Sequence, residues 1–139
     1  MHYFIGPEVA GGLGDGTVMD TSMHPPTISS LEYEFDDWLG DHLVESFPCY
    51  IVTEVAASAI RKSGLSGCSF GPVFIKKSET FEEINPGMAL PDFVWLKVDG
   101  VAGVSDFGLS QDNRLVISED AIRVFKKFGL ENADFQEFN

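Results

Sequence analysis

Two stretches of this chain follow one plan. Tyr50-Ile51-Val52-Thr53-Glu54 aligns with Leu115-Val116-Ile117-Ser118-Glu119. At the same offset Ala56 matches Ala121, Lys62 matches Lys127, Gly64-Leu65 matches Gly129-Leu130 and Phe70 matches Phe135. Each copy reads as a buried strand, a hydroxyl residue that can cap a helix, the helix, a glycine stop, a leucine and a second strand. Any strand–helix–strand unit needs a cap, a stop and apolar anchors. Spacing kept across the whole unit points further, to a shared supersecondary plan. Two such units, about 50–75 and 115–138, beside extra strands predict an α+β fold with a mixed, mostly antiparallel sheet and helices packed on it. In the second helix Ala121, Val124, Phe125 and Phe128 fall on one stripe that packs inward.

The rest of the chain is read around these units. With 139 residues it fits one domain, 1–139. Twelve Phe predict a core anchored by rings. Residues 1–9 read as a short edge strand from Tyr3, Ile5 and Val9. Residues 10–30, with Gly11, Gly12, Gly14, Gly16 and Pro25-Pro26, read as a long loop. Residues 31–35 alternate with period two and predict a strand with one solvent face. Residues 42–47 suggest a helical turn before Pro48, and 49–52 a buried strand. Thr53 caps a helix over 54–63, and 68–76 returns as a strand. A helical turn falls at 80–83 and a strand at 93–98. Ser118 caps a helix over 119–128, and 133–138 closes as a strand.

No familiar catalytic motif is present. The glycines at 12, 14 and 16 lack the Lys-Ser/Thr of a phosphate-binding loop and miss the dinucleotide spacing, so a surface loop is the plainer reading. His2, His24 and His42 form no metal-spaced pair with each other or with a cysteine. Cys49 and Cys68 fall inside expected strands, where a thiol behaves as a small buried hydrophobe; one disulfide is the alternative. The paired acids Asp36-Asp37 and Glu82-Glu83 sit in acidic turns, which do not supply the raised carboxyl of a general acid. The expectation is a non-enzyme with no cofactor and no metal. No run is apolar enough for a membrane span, and the N-terminal residues lack a basic signal-peptide region, which predicts a cytoplasmic protein.

Charge supplies the direction. The net charge is −13, from 22 acids and 9 bases, and residues 1–60 hold ten acids and no Lys or Arg. Such a field opposes nucleic acid and anionic membrane and favours a basic protein partner, although acidity also serves plain solubility. Glu34, Asp36, Asp37, Asp41 and Glu45 lie among Tyr33, Phe35, Trp38 and Leu39, with no base in the segment to neutralise them. Acids around aromatic anchors are what a binding patch for a basic protein requires. Trp38 and Phe35 as core residues under a solvated rim is the competing reading.

Residues 33–41, Phe93-Val94-Trp95-Leu96-Lys97-Val98, and Gly108-Leu109-Ser110 followed by Val116-Ile117-Ser118-Glu119 resemble a group of small bacterial immunity proteins. These accompany polymorphic or contact-delivered toxins. The capped helix, Phe128-Gly129-Leu130 and final strand are similar to the C-terminal unit of that group. The likeness spans about 30–139 and is structural, not catalytic. Some members carry a double Cys-x-x-Cys-Gly motif, which this chain lacks. The resemblance implies a monomer or weak homodimer that binds a cognate toxin stoichiometrically. Charge adds that the toxin is basic, as a nuclease is, with Asp36, Asp37, Asp41 and Glu45 standing in for phosphates and Trp38 as apolar anchor. The rivals are a secretion adaptor or chaperone, an enzyme built from His42, Asp41 and the 11–16 loop, and a structural subunit of a homo-oligomer.

Overall fold

The computed structural model describes residues 1–139. Both repeat units form as expected. The first is β7 (Cys49–Thr53), α1 (Glu54–Lys62) and β8 (Cys68–Gly71); the second is β12 (Leu115–Ser118), α3 (Glu119–Lys126) and β13 (Asp134–Phe138). Thr53 and Ser118 cap their helices by accepting from the amides of Ala56 and Ala121. Gly64 and Gly129 follow with positive φ, where a side chain would be strained. The fold is mixed α+β with mostly antiparallel pairing, but each unit builds its own sheet.

In each sheet a foreign strand is inserted between the two strands of the unit. β10 (Phe93–Val98) lies between β7 and β8, and β1 (His2–Gly6) lies between β12 and β13. The registers match residue for residue. Trp95 pairs with Ile51 and Gly71; Phe4 pairs with Val116 and Gln136, the repeat equivalents of those two residues. The outer strands correspond as well. β6 (Leu43–Ser46) pairs with β7 as β11 (Phe107–Leu109) pairs with β12. The Glu54 amide donates to Asp92 O and the Glu119 amide to Met1 O, fixing the start of each inserted strand in the same way. The molecule is thus a pseudo-dimer in one chain.

The two halves hold each other reciprocally. The Asp106 carboxylate, just before β11, accepts from the Ser66 amide at 2.8 Å, beyond the first unit's helix. The Asp41 carboxylate, two residues before β6, accepts from the Glu131 amide at 3.0 Å, beyond the second unit's helix. Ser66 and Glu131 are repeat equivalents. Asp106 also accepts from the Ser118 hydroxyl at 2.7 Å, while His42 Nδ1 lies 2.6 Å from the Thr53 hydroxyl. Each helix cap is therefore braced by the residue preceding its neighbouring hairpin.

One core joins the halves. Ala56, Ala57 and Ile60 of α1 and Ala121, Val124 and Phe125 of α3 pack with Tyr50, Val52, Leu96, Leu115, Ile117 and Phe107. Phe125 meets Phe107 edge to face, rings 6.2 Å apart. Phe128, expected on the same stripe, lies past the helix end, 39% exposed and against the His42 ring.

Several expectations are corrected. β1 is an inner strand, not an edge. Residues 10–30 are no continuous loop: β2 (Gly11–Leu13) pairs with β5 (Glu32–Phe35), and β3 (Val18–Asp20) pairs with β4 (Thr27–Ser30) as an exposed arm. Residues 42–47 are not a helical turn, because Leu43 and Val44 are both buried as β6 hydrogen-bonds along β7. The strand expected over 68–76 divides at Pro72-Val73, with β8 before and β9 (Phe74–Lys77) after. β9 joins β5 in parallel. Together β2, β5, β9 and α2 (Glu79–Ile84) form an added layer over the outer face of the first unit's sheet. A second core lies between them, with Tyr33, Phe35 and Phe81 on one side and Val44, Cys49, Ile51 and Phe93 on the other. The second unit has no such layer.

Cys49 and Cys68 are both unpaired thiols within strands, pushed up by burial to about 12 and about 11 respectively. No helix is long and apolar enough to cross a membrane.

Candidate partner-binding face

The added layer is where the pseudo-symmetry breaks, and it is also where the charge concentrates. Residues 10–38 and 72–92 carry ten acids and two bases; the remaining scaffold carries twelve acids and seven bases. More than half of the net charge therefore sits on well under half of the chain.

Within the layer, α2 runs beside the stretch 35–37. Ser78, its cap, donates its amide to Phe35 O at 2.9 Å, and Asn85 at its far end donates its side-chain amide to Asp37 Oδ1 at 2.9 Å. Phe81 is buried beneath, so Glu79, Glu82 and Glu83 remain exposed. The exposed Asp36 and half-buried Asp37 thus share a face with three glutamates of α2. The single base beside it, Lys77, donates to Met88 O and lies 4.0 Å from Glu82.

The six residues expected at the partner surface divide. Asp36 and Asp37 belong to this face; Asp37 also accepts from the Trp38 amide at 2.7 Å. Glu34 is on the neighbouring outer face of β5, where a base from outside its own segment opposes it: Lys76 of β9 lies 3.7 Å away, directly across the register. Trp38 is half-buried, with its ring edge-on to Phe93 and Nε1 donating to Asp41 O at 2.9 Å, so it anchors the loop to the second core. Asp41 is 1% exposed, and its carboxylate is occupied by the amides of Glu131 and Asn132 and by the Asn132 side chain. It holds the halves together and faces no solvent. Glu45 is turned away, beside Tyr50 and Arg114, where burial raises its carboxyl.

The 36–41 loop is fixed by buried charge. Glu8 is also buried, and its carboxylate accepts from the amides of Leu39 at 2.6 Å and Asp41 at 3.2 Å. Burial raises the Glu8 carboxyl; the two amides oppose that, and the nearby Asp41 and Asp37 add to it. The groups of the enzyme rival have separate partners. His42 is engaged with Thr53, Asp41 with 131–132, and the glycines with the strand ladder or the Glu32 carboxylate, which accepts from the Gly16 amide. No group of three or more His, Cys, Asp or Glu is placed to hold a metal ion.

Sequence reasoning passed over Glu79, Glu82 and Glu83 as members of the face. The available signal was Ser78 as a cap followed by acids around a single buried Phe81. No protein-family model matches the chain, and no curated protein matches it.

Proposed function

We propose that this protein neutralises a basic bacterial toxin, such as a nuclease, by binding it one-to-one and covering its active surface. The observation that carries the proposal is the added acidic layer on one half of a pseudo-symmetric scaffold. The scaffold explains itself through its core and its reciprocal clamps. The layer adds ten acids and two bases, and brings Asp36, Asp37, Glu79, Glu82 and Glu83 to one face. A charge set of this kind steers and orients a cationic partner, at rates that fall as salt rises. The resemblance of the scaffold strands to immunity proteins points the same way, and the binding is non-catalytic in this reading.

The test is recovery of partners from the native host on tagged protein at low and raised salt, identified by mass. One basic toxin domain, released by salt and inhibited one-to-one when purified, is the expected result. A secretion-apparatus component in its place would move the reading to an adaptor. Charge reversal at Asp36, Glu82 and Glu83 together should abolish toxin capture while the unfolding midpoint stays unchanged. Capture as tight as wild type would sink the face.

A further inference from the structure

The layer ends in an open strand. β9 is the last strand of its sheet, and the amides of Phe74 and Ser78 point inward to Leu31 O and Phe35 O. In a parallel ladder alternate residues face opposite sides, so the backbone N–H and C=O groups of Ile75 and Lys77 point outward. No backbone bond from another element reaches them. Beside this edge runs a groove lined by Val73, Ile75, Ala89, Leu90, Pro91 and Phe93. Phe74 is 64% exposed and Ile75 37%. An unpaired strand edge next to a groove that offers apolar side chains is the geometry of strand addition, in which main-chain bonds give affinity and alternate side chains enter the groove.

Charge selects the occupant. Asp92 and Lys77 line the groove, and Glu79 and Glu82 follow β9 at its end. The two lysines of β9 are committed, Lys76 to Glu34 and Lys77 to Met88 O and Glu82. We infer that β9 takes up an extended segment of the basic partner as a further strand, with apolar side chains in the groove and flanking cationic side chains toward Asp92 in the groove and toward Glu79 and Glu82 at the end of β9. This inference rests on the proposed function and names how that partner docks.

The test uses isotope-labelled full-length protein and a short synthetic peptide of Val residues flanked by Lys, with a Val/Glu peptide as control. Binding of the Val/Lys peptide should slow hydrogen exchange at the Ile75 and Lys77 amides by about tenfold or more, the scale of local protection by new backbone bonds. Ile75→Pro, which removes an outward N–H that no intramolecular bond uses, should weaken that binding while the unfolding midpoint holds. Ala89→Arg, at an exposed groove position, should do the same through the groove. Lys-peptide binding that shifts signals at Asp36, Glu82 and Glu83 but leaves exchange at Ile75 and Lys77 unchanged would overturn strand addition and leave the basic-partner reading standing. Equal binding of the Val/Glu peptide, or no binding of the Val/Lys peptide, would also overturn it.

Discussion

At the scale of single residues, the acids of this protein divide into those spent on the fold and those left for a partner. Asp41 belongs to the first kind. Its carboxylate accepts three N–H bonds from residues 131 and 132. Asp41→Asn sets a donor against those donors, and a buried donor left unmet costs about 1–3 kcal/mol. The variant should unfold at correspondingly lower denaturant, whereas Asp36→Asn should not. An unchanged midpoint for Asp41→Asn would remove the clamp from the account of stability. The cap braces add a pH dependence. Burial alone would raise the Asp106 carboxyl, but bonds from Ser66 and Ser118 and the charge of His2 outweigh it and hold it below the usual range. Burial lowers His42, against the opposing charge of Asp41. A depressed value contributes stability above the ordinary pKa that is lost as pH falls through the folded value. His42 therefore loses its contribution on acidification from near 6.5, and Asp106 only below about 4. Denaturant midpoints against pH should fall in both windows, and Asp106→Asn should flatten the lower one alone.

At the scale of elements, glycines decide how the added layer closes. A Cβ on Gly11 would stand 1.8 Å from Glu34 O, whereas one on Gly12 would meet nothing within 4 Å. Gly11→Ala must push β2 off β5. It should destabilise by about 1–3 kcal/mol, the cost of overpacking, while Gly12→Ala stays near wild type. Equal midpoints for the two variants would mean that β2 does not hold the layer. These elements also mark what the sequence could tell. The repeat was legible because caps, stops and apolar anchors act locally, within one turn of the helix they serve. β6 was not, since four residues ending before Phe47-Pro48 have no room for a periodic signal. β3 was missed for another reason: all three of its residues are exposed, so burial imposes no alternation. The role of Asp41 was hidden because the amides it serves lie some ninety positions away along the chain. Charge alone makes such an acid look like surface, and of the five acids of the proposed face only Asp36 and Asp37 were read in advance.

At the scale of the whole molecule, the two inserted strands are interchangeable in role. β1 does for one sheet what β10 does for the other, and His2 pairs with Phe138 across adjoining chain ends. A permutant with a short linker from Asn139 to Met1, opened at the exposed Gly87, would begin with β10 and keep every pairing. It should fold with the same near-ultraviolet spectrum and a midpoint within a few degrees of the parent, since cuts in exposed loops are well tolerated. A molten spectrum would show that β10 needs its present connection.

The same placement of β1 governs how the protein comes into being. During synthesis Tyr3, Phe4 and Ile5 leave the ribosome long before the strands that flank them, β12 and β13. The first unit can gather β6 through β10 while translation continues. The second must hold an apolar ribbon unpaired until β12, α3 and β13 are made, a long-range closure that is slow and exposed to aggregation. A nascent chain of this kind closes its second sheet by capturing a strand made long before.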